Sequence, residues 1–577
     1  MPDSIYNCKV TLNKNYKMKH YKMKHAHFFV ALGLIFTGLT SCETEYNPEQ
    51  SQSVQLPQSV QQASNADLLH AKLIEEAAKG GLESIKNGFA VNPKAARPVA
   101  TNFLNTRVLI NGSIIGYGVS GYQQSYVSTS GNFMTPIAEL LRRFEYTVSF
   151  ANGVLTGVRR PENTFGAQRI NITVGSTSVS YLTSSGQSTS LFLPEAALNS
   201  DGAIFAPARV VALLAGAATA EFDADTTTLQ TYYYEVNDFG IYFYGIQQNA
   251  SNDAVGCQKY IPGEPNPFFT ATRKTLIYAH GYQPGSIGGF KREGFLFNQA
   301  ESGNQNVQNY WKLNSESENW NIGIFQWIQL ADDSGLPPIT EEKKIYDANS
   351  SGIGMRWRKS NNTFSTRGNP SLNVLQLYRQ EYQKITAVVS NATELRLIGN
   401  SLGGNLTMAM LREVAINGAR VPNRVTLMDP YWNPGLVKSS SFNLPTNFVT
   451  PNSSPDTRYV GKDAAVRLNN LDVAIEYFVS SAAGSDGYNR GVAYIAQYTN
   501  LLPYYTNDIA AKHTQPTRVY MWSKGLGFPS VGPHPNRSNL FVRQNMNTDN
   551  YFSQSGQASA YTAGPGDDTY ILAFGKP

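Results

Sequence analysis

The sequence predicts an α/β fold with a mainly parallel sheet, preceded by a small α+β domain that contains a repeat. Three observations predict it. From about residue 240, short apolar runs alternate with segments of helical spacing, the pattern of parallel strands joined by crossover helices. Two of those runs, Thr275 to Ala279 and Ile322 to Trp327, read as strands buried on both faces. Between about residues 104 and 235, a short helix opened by Pro and followed by a strand occurs twice.

A chain of 577 residues can bury a core in two or three domains. With 15% charged and 12% aromatic residues it is globular rather than disordered. Of 47 basic and 42 acidic residues, six Lys and one Asp lie within 1–41, so the remainder carries 41 of each. That balance favours neither nucleic acid nor an anionic surface as a partner.

The N-terminus reads as an address. Lys17, Lys19, Lys22 and Lys24 precede an apolar stretch from Phe28 to Leu39, too short to span a bilayer. It ends in Leu39-Thr40-Ser41-Cys42, which resembles the lipobox of bacterial lipoproteins. The resemblance implies that residues 1–42 are a signal cut before Cys42, and that Cys42 is acylated. The expected location is the bacterial cell envelope, with a lipid anchor in a membrane facing the periplasm or the exterior. Met23 would start a signal of typical length. Cys8 falls in the discarded part, so Cys257 is left without a partner for a disulfide.

Residues 43–103 read as a polar tether followed by a helix, the latter from the spacing of Leu68, Leu69, Leu73, Ile74 and Ala77. In the 104–235 domain one repeat runs through Phe133 to Leu141, with Pro136 within it, and Tyr146 to Phe150. The other runs through Ile204 to Leu214, with Pro207 within it, then Ala218 to Phe222 and Asp223. Strands precede them at Val108 to Ile110, with the turn Asn111-Gly112, and at Ile170 to Val174. This unit resembles the N-terminal domain of copper amine oxidases as found in bacterial surface proteins. The resemblance implies an attachment module with a cell-surface polymer as partner, or a spacer. It brings no copper, because no His lies between His70 and His280.

In the segment 240–577, Leu395 to Ile398 reads as a strand and Asn405 to Val414 as a helix, joined by Gly399-Asn400-Ser401-Leu402-Gly403-Gly404. Gly-x-Ser-x-Gly at a strand-to-helix turn exposes the Ser hydroxyl at the sheet's C-terminal edge. The glycines are needed where side chains would collide with the neighbouring strand and helix. Ser401 is therefore the candidate nucleophile. It needs a base, and in this arrangement the acid and then the His follow the Ser. His513 and His534 both do. Thr517 to Trp522 reads as the last strand, which puts His513 before it and His534 in a Gly- and Pro-rich loop beyond it. His534 is taken as the base, with His513 the alternative. Asp429, at the end of the strand Val425 to Met428, is taken as the acid, with Asp486 the alternative and Asp472 disfavoured because it precedes its strand. The N–H groups of Leu402 and Tyr282 are the expected oxyanion hole, Gly281 letting the backbone come close.

Together, His280-Gly281-Tyr282, Gly399 to Gly404 and Met428-Asp429-Pro430 resemble the pancreatic-type branch of the α/β-hydrolase lipases and esterases over about residues 270–540. The resemblance implies an α/β-hydrolase fold and a serine esterase or lipase with an ester or lipid substrate. Asn400 stands where those lipases carry His. Segments 283–320 and 436–470 have no counterpart and would flank the site as a cap. No metal-ligand spacing occurs, and no cofactor is called for. A non-catalytic surface-binding lipoprotein, and a peptidase or acyltransferase on the same fold, remain open.

Overall fold

The computed structural model describes residues between Arg107 and Lys576. The longest stretches outside it are 1–106, 294–319, 433–456 and 555–569, together with 502–537 except for His513, Pro516, Thr517, Tyr520 and Met521. Among the described residues, no helix is long and apolar enough to cross a membrane.

In the C-terminal half, eight strands lie side by side. Their spatial order is Gly240–Tyr244, Asn321–Gln326, Thr275–Ala279, Leu395–Asn400, Arg424–Met428, Ala474–Val479, Gln497–Asn500 and Asn550–Gln554. The last seven run parallel. Gly240–Tyr244 is antiparallel to its neighbour, and Tyr570–Phe574 closes the far edge antiparallel. Alternate residues feed two cores. Ile277, Ala279, Leu397, Val425 and Ile475 pack under the helices Val374–Thr386, Leu402–Ile416 and Thr457–Asn470. Leu276, Tyr278, Ile398, Met428 and Phe478 fill the other face. A strand buried on both sides has no polar face, which is why these segments read as unbroken apolar runs. The strand order reverses beside Thr275–Ala279, whose successor in sequence lies on one side and Leu395–Asn400 on the other. At such a switch point the C-terminal strand ends open a crevice for a ligand.

The reading of Thr517 to Trp522 as the last strand is corrected. Pro516, Thr517, Tyr520 and Met521 are helical. Tyr520 and Met521 pack beneath the sheet, with the Tyr520 ring edge-on to Phe478 at 5.9 Å. Thr517, Tyr520 and Met521 recur at the i, i+3, i+4 spacing of a helix face, and a short apolar run cannot by itself tell strand from helix. The sheet position next to Ala474–Val479 belongs to Gln497–Asn500.

In the N-terminal half two short helices occupy matching settings. The strands Phe133–Pro136 and Ala203–Pro207 pair antiparallel about Thr135 and Ala206. Each ends in a Pro that starts a seven-residue helix, Ile137–Arg143 or Ala208–Leu214. The two prolines have nearly equal dihedrals, −60°, 104° and −56°, 107°. Ile137–Arg143 packs against the first strands of a five-stranded antiparallel meander, Tyr146–Ala151 to Ser188–Phe192, and both helices share one core with it. The strands Arg107–Ile110, Ser113–Ile114, Thr219–Asp223 and Thr228–Tyr232 continue the main sheet through one bridging pair, Ser113 with Cys257. A sheet therefore runs past residue 240, where the pattern of the sequence changes.

Candidate active site

Leu395–Asn400 delivers Ser401 to the switch point, and the helix Leu402–Ile416 begins directly after it. Ser401 has φ 56° and ψ −128°, a conformation that costs a non-glycine residue on the order of 1–3 kcal/mol and persists only where surroundings enforce it. They do. Ser401 N–H donates to Met428 O at 3.1 Å, while its carbonyl accepts from Gly404 N–H at 2.9 Å and Tyr431 N–H at 3.1 Å. The glycines are required by contact: a Cβ on Gly403 would lie 2.0 Å from Ala279 O, and one on Gly399 2.4 Å from Gly403 O. The backbone of Gly281 covers the serine so closely that a Cβ there would lie 2.6 Å from Ser401 Cβ and 3.1 Å from its Oγ.

Asp429 terminates the next strand, is fully buried and has φ 44°. The N–H groups of Ser480 and Ser481 donate to its Oδ1 at 3.0 and 3.1 Å, and the Ser481 hydroxyl donates to its Oδ2. Those two serines follow the strand Ala474–Val479, so a neighbouring strand end clamps the carboxylate. The fourth donor is His513, whose Nδ1 lies 2.5 Å from Asp429 Oδ2. Asn400 ties this His to the nucleophile turn, its Nδ2 donating to Met428 O at 2.9 Å and to His513 O at 3.3 Å. Asn400 thus serves as a brace where the lipases that the motif resembles carry His.

The imidazole that faces Asp429 is that of His513, where the sequence reasoning put His534. His534 and Asp486 lie outside the described residues. His513 does not sit before a last strand, because Pro516, Thr517, Tyr520 and Met521 are helical. His513 in fact follows Gln497–Asn500, the strand beyond the one that clamps Asp429.

The loop carrying Tyr282 is latched. The fully buried His280 takes Trp327 N–H on Nε2 at 3.2 Å, so its proton sits on Nδ1, 2.9 Å from Gly281 O. Trp327 Nε1–H donates to His280 O, and the two rings stack 5.6 Å apart. Beyond it, Gly285 N–H and Ile287 N–H donate to Asp332 Oδ1 and Oδ2 at 2.6 and 2.8 Å. Burial pushes Asp332 above the usual carboxylate range against those donors and Arg358. Next to it, buried Lys344 bonds Asp333 at 2.9 Å and the carbonyls of Leu330 and Arg356, and burial pulls its ammonium below the usual range. Burial also lifts Glu341 to about 7, and lifts the Tyr282 phenol, with Glu341 and Asp332 adding to the effect on Tyr282. Among the described residues, no group of three His, Cys, Asp or Glu converges as a metal site.

No family model matches the chain, and no curated relative does. Solved structures similar to parts of it include a hormone-sensitive-lipase homologue from a metagenome library, at 13% identity and TM-score 0.19, over 39% of this chain and 64% of the other. An esterase from the bacterial hormone-sensitive lipase family aligns at 11% identity and TM-score 0.20, over 48% and 79%. A lipase-esterase related protein from Clostridium acetobutylicum aligns at 14% and 0.18, over 38% and 81%. The chain spans less than two thirds of the length of the first of these. At these scores the likeness adds no weight to the geometry, and the strand order and the strained serine stand on their own.

Sequence reasoning missed the serine pair that holds Asp429 and the Asp332 latch. Ser480-Ser481 at the end of an apolar run is the signal that could have found the first.

Proposed function

We propose that the chain is a serine hydrolase of the α/β-hydrolase type that cleaves carboxylic esters through an acyl-enzyme on Ser401. The observation that carries this reading is the buried Asp429 held 2.5 Å from His513 Nδ1, one strand away from a serine in a strained strand-to-helix turn. An acid so placed fixes the imidazole tautomer with its proton on Nδ1, and leaves Nε2 to take a proton. In the proposed reaction Ser401 Oγ attacks the ester carbonyl as its proton passes to His513 Nε2. That proton then goes to the leaving alcohol, and water repeats the sequence to free the acid. The N–H groups of Leu402 and Tyr282 would receive the oxyanion. Loss of one such donor typically costs ~3 kcal/mol of activation energy. His513 replaces His534 as the base in this reading.

The test is a panel of p-nitrophenyl esters of rising chain length, with an anilide for comparison. Wild type should cleave esters and Ser401→Ala should not. Failure to cleave any ester, or equal turnover by the variant, overturns the reading. The lipid anchor at Cys42 lies outside the described residues and remains part of this proposal, as do the 104–235 attachment module and the envelope location.

A further inference from the structure

The meander of the N-terminal half has an inner face committed to the core, where Leu155, Ile170, Ile172 and Val179 meet the two repeat helices. Its outer face is unusual in composition. Reading the registers across the five strands, Ser149, Thr156, Asn171, Ser180 and Ser190 form one continuous row. Thr156 Oγ1–H donates to Asn171 Oδ1 at 3.1 Å, and Asn171 Nδ2–H donates to Ser180 Oγ at 3.3 Å. No outward position on any of the five strands is a carboxylate or a lysine. A sheet face kept for solubility carries mixed charge; the central row of this one offers hydroxyl and amide groups alone.

The flank of that row toward one end of the strands is basic. Arg169 stands opposite Val158 and Leu182. With Arg159, Arg160 and Gln168 these residues line a concavity of about 260 Å³. Arg160 and Arg169 are exposed, and neither has a carboxylate partner among the described residues. Arg159 is held in place by its Nη1–H on Gly166 O at 2.6 Å. All seven basic residues in the segment 104–235 are Arg and none is Lys, and the guanidinium fork is the group that takes a carboxylate or sulfate bidentately. On the opposite flank of the row, Phe192 pairs with Ser178 and exposes 72% of its surface. Four residue steps along the strand lead from Ser178 to Leu182, roughly 13 Å, so a ligand that reaches both flanks crosses the row and is extended.

We propose that this face binds an anionic polysaccharide. The arginine pocket would take the acid groups, the hydroxyl and amide row the sugar hydroxyls, and Phe192 a sugar ring. The site is separate from the Ser401 centre and does not depend on the reaction assigned there.

The test is retention of the full chain by polygalacturonate and by heparin, with dextran as the neutral polymer and anionic phospholipid vesicles as a second charged surface. Retention on at least one polyanion, weakened by salt and absent with dextran, is expected. Arg160→Gln with Arg169→Gln should weaken it roughly tenfold or more, and Asn171→Ala with Ser180→Ala should weaken it with the charge unchanged. Both double variants should keep wild-type thermal unfolding and ester turnover. The proposal is overturned if neither polyanion retains the protein, if both double variants bind as wild type does, or if vesicles retain it as well as the polymers through the same arginines.

Discussion

Replacing Asp429 with Asn separates the acid's chemical role from its structural one. The backbone there has φ 44°, which Asn adopts more readily than most residues, so Asn fits where Ala would be strained. The carboxamide oxygen can keep the N–H donors of Ser480 and Ser481. The new NH₂ would then face the Ser481 hydroxyl, which can turn to accept, and His513 Nδ1. To accept there, the imidazole must move its proton to Nε2, the nitrogen that should take the serine's proton. The same substitution in the chymotrypsin triad, where the tautomer is likewise reversed, lowers kcat about 10⁴-fold; a loss of similar size is expected here. Stability should change little, because every donor around the carboxyl keeps a partner. What is lost is a charge-assisted bond on His513, worth roughly 1.5–3 kcal/mol at most. The assay is kcat on a p-nitrophenyl ester with thermal unfolding of the same samples. Turnover within tenfold of wild type, from protein that unfolds at the wild-type temperature, would refute the reasoning.

Three further outcomes follow from the same geometry. Gly281→Ala puts a Cβ 2.6 Å from Ser401 Cβ, and should cut kcat/KM about 100-fold or more by displacing the hydroxyl; full activity in that variant would show that the Gly281 backbone is not where the site needs it. Glu341 is lifted from 4.5 to about 7 chiefly by burial, with Asp333 adding to the shift and Lys344 opposing it. The folded state therefore holds its proton where the unfolded chain has lost it, and its contribution is complete below about pH 4.5 and lost as pH rises through about 7. Glu341→Gln removes that decline, so its unfolding free energy should gain on wild type between pH 5 and pH 7.5, by on the order of 3 kcal/mol at most; parallel profiles would rule this out. For the proposed anchor, Cys42→Ala should move the protein from the membrane fraction to the soluble one, and a wild-type protein already soluble with an unmodified N-terminus would end that proposal.

The strained turn at Ser401 was legible because its constraint is local. Gly399, Ser401 and Gly403 are close in sequence, and the contacts that demand glycine come from the same turn and the adjoining strand. Asp429 was legible for a similar reason, as an acid at the end of an apolar strand. The histidine that faces Asp429 was not, because the choice depended on whether the residues around Thr517, Tyr520 and Met521 form a strand or a helix. Their apolar run satisfies a strand by composition and a helix by the spacing of Thr517, Tyr520 and Met521. The groups that hold the site lie far away in sequence: Ser481 is 52 residues from Asp429, and Asp332 is 45 from Ile287. Nothing in a local pattern announces such pairs. The continuity of the sheet across the middle of the chain escaped for the same reason, since it depends on one pairing, Ser113 with Cys257.

The most direct measurement is the rate at which a fluorophosphonate probe labels wild type, Ser401→Ala, His513→Ala and His534→Ala, each checked for wild-type unfolding. The probe needs an activated serine hydroxyl and no knowledge of the natural ester. The expected result is labelling of wild type and of His534→Ala, none of Ser401→Ala, and labelling of His513→Ala slowed by several orders of magnitude. Labelling that survives in His513→Ala and disappears in His534→Ala would contradict the assigned base, and labelling that survives in Ser401→Ala would contradict the catalytic centre itself.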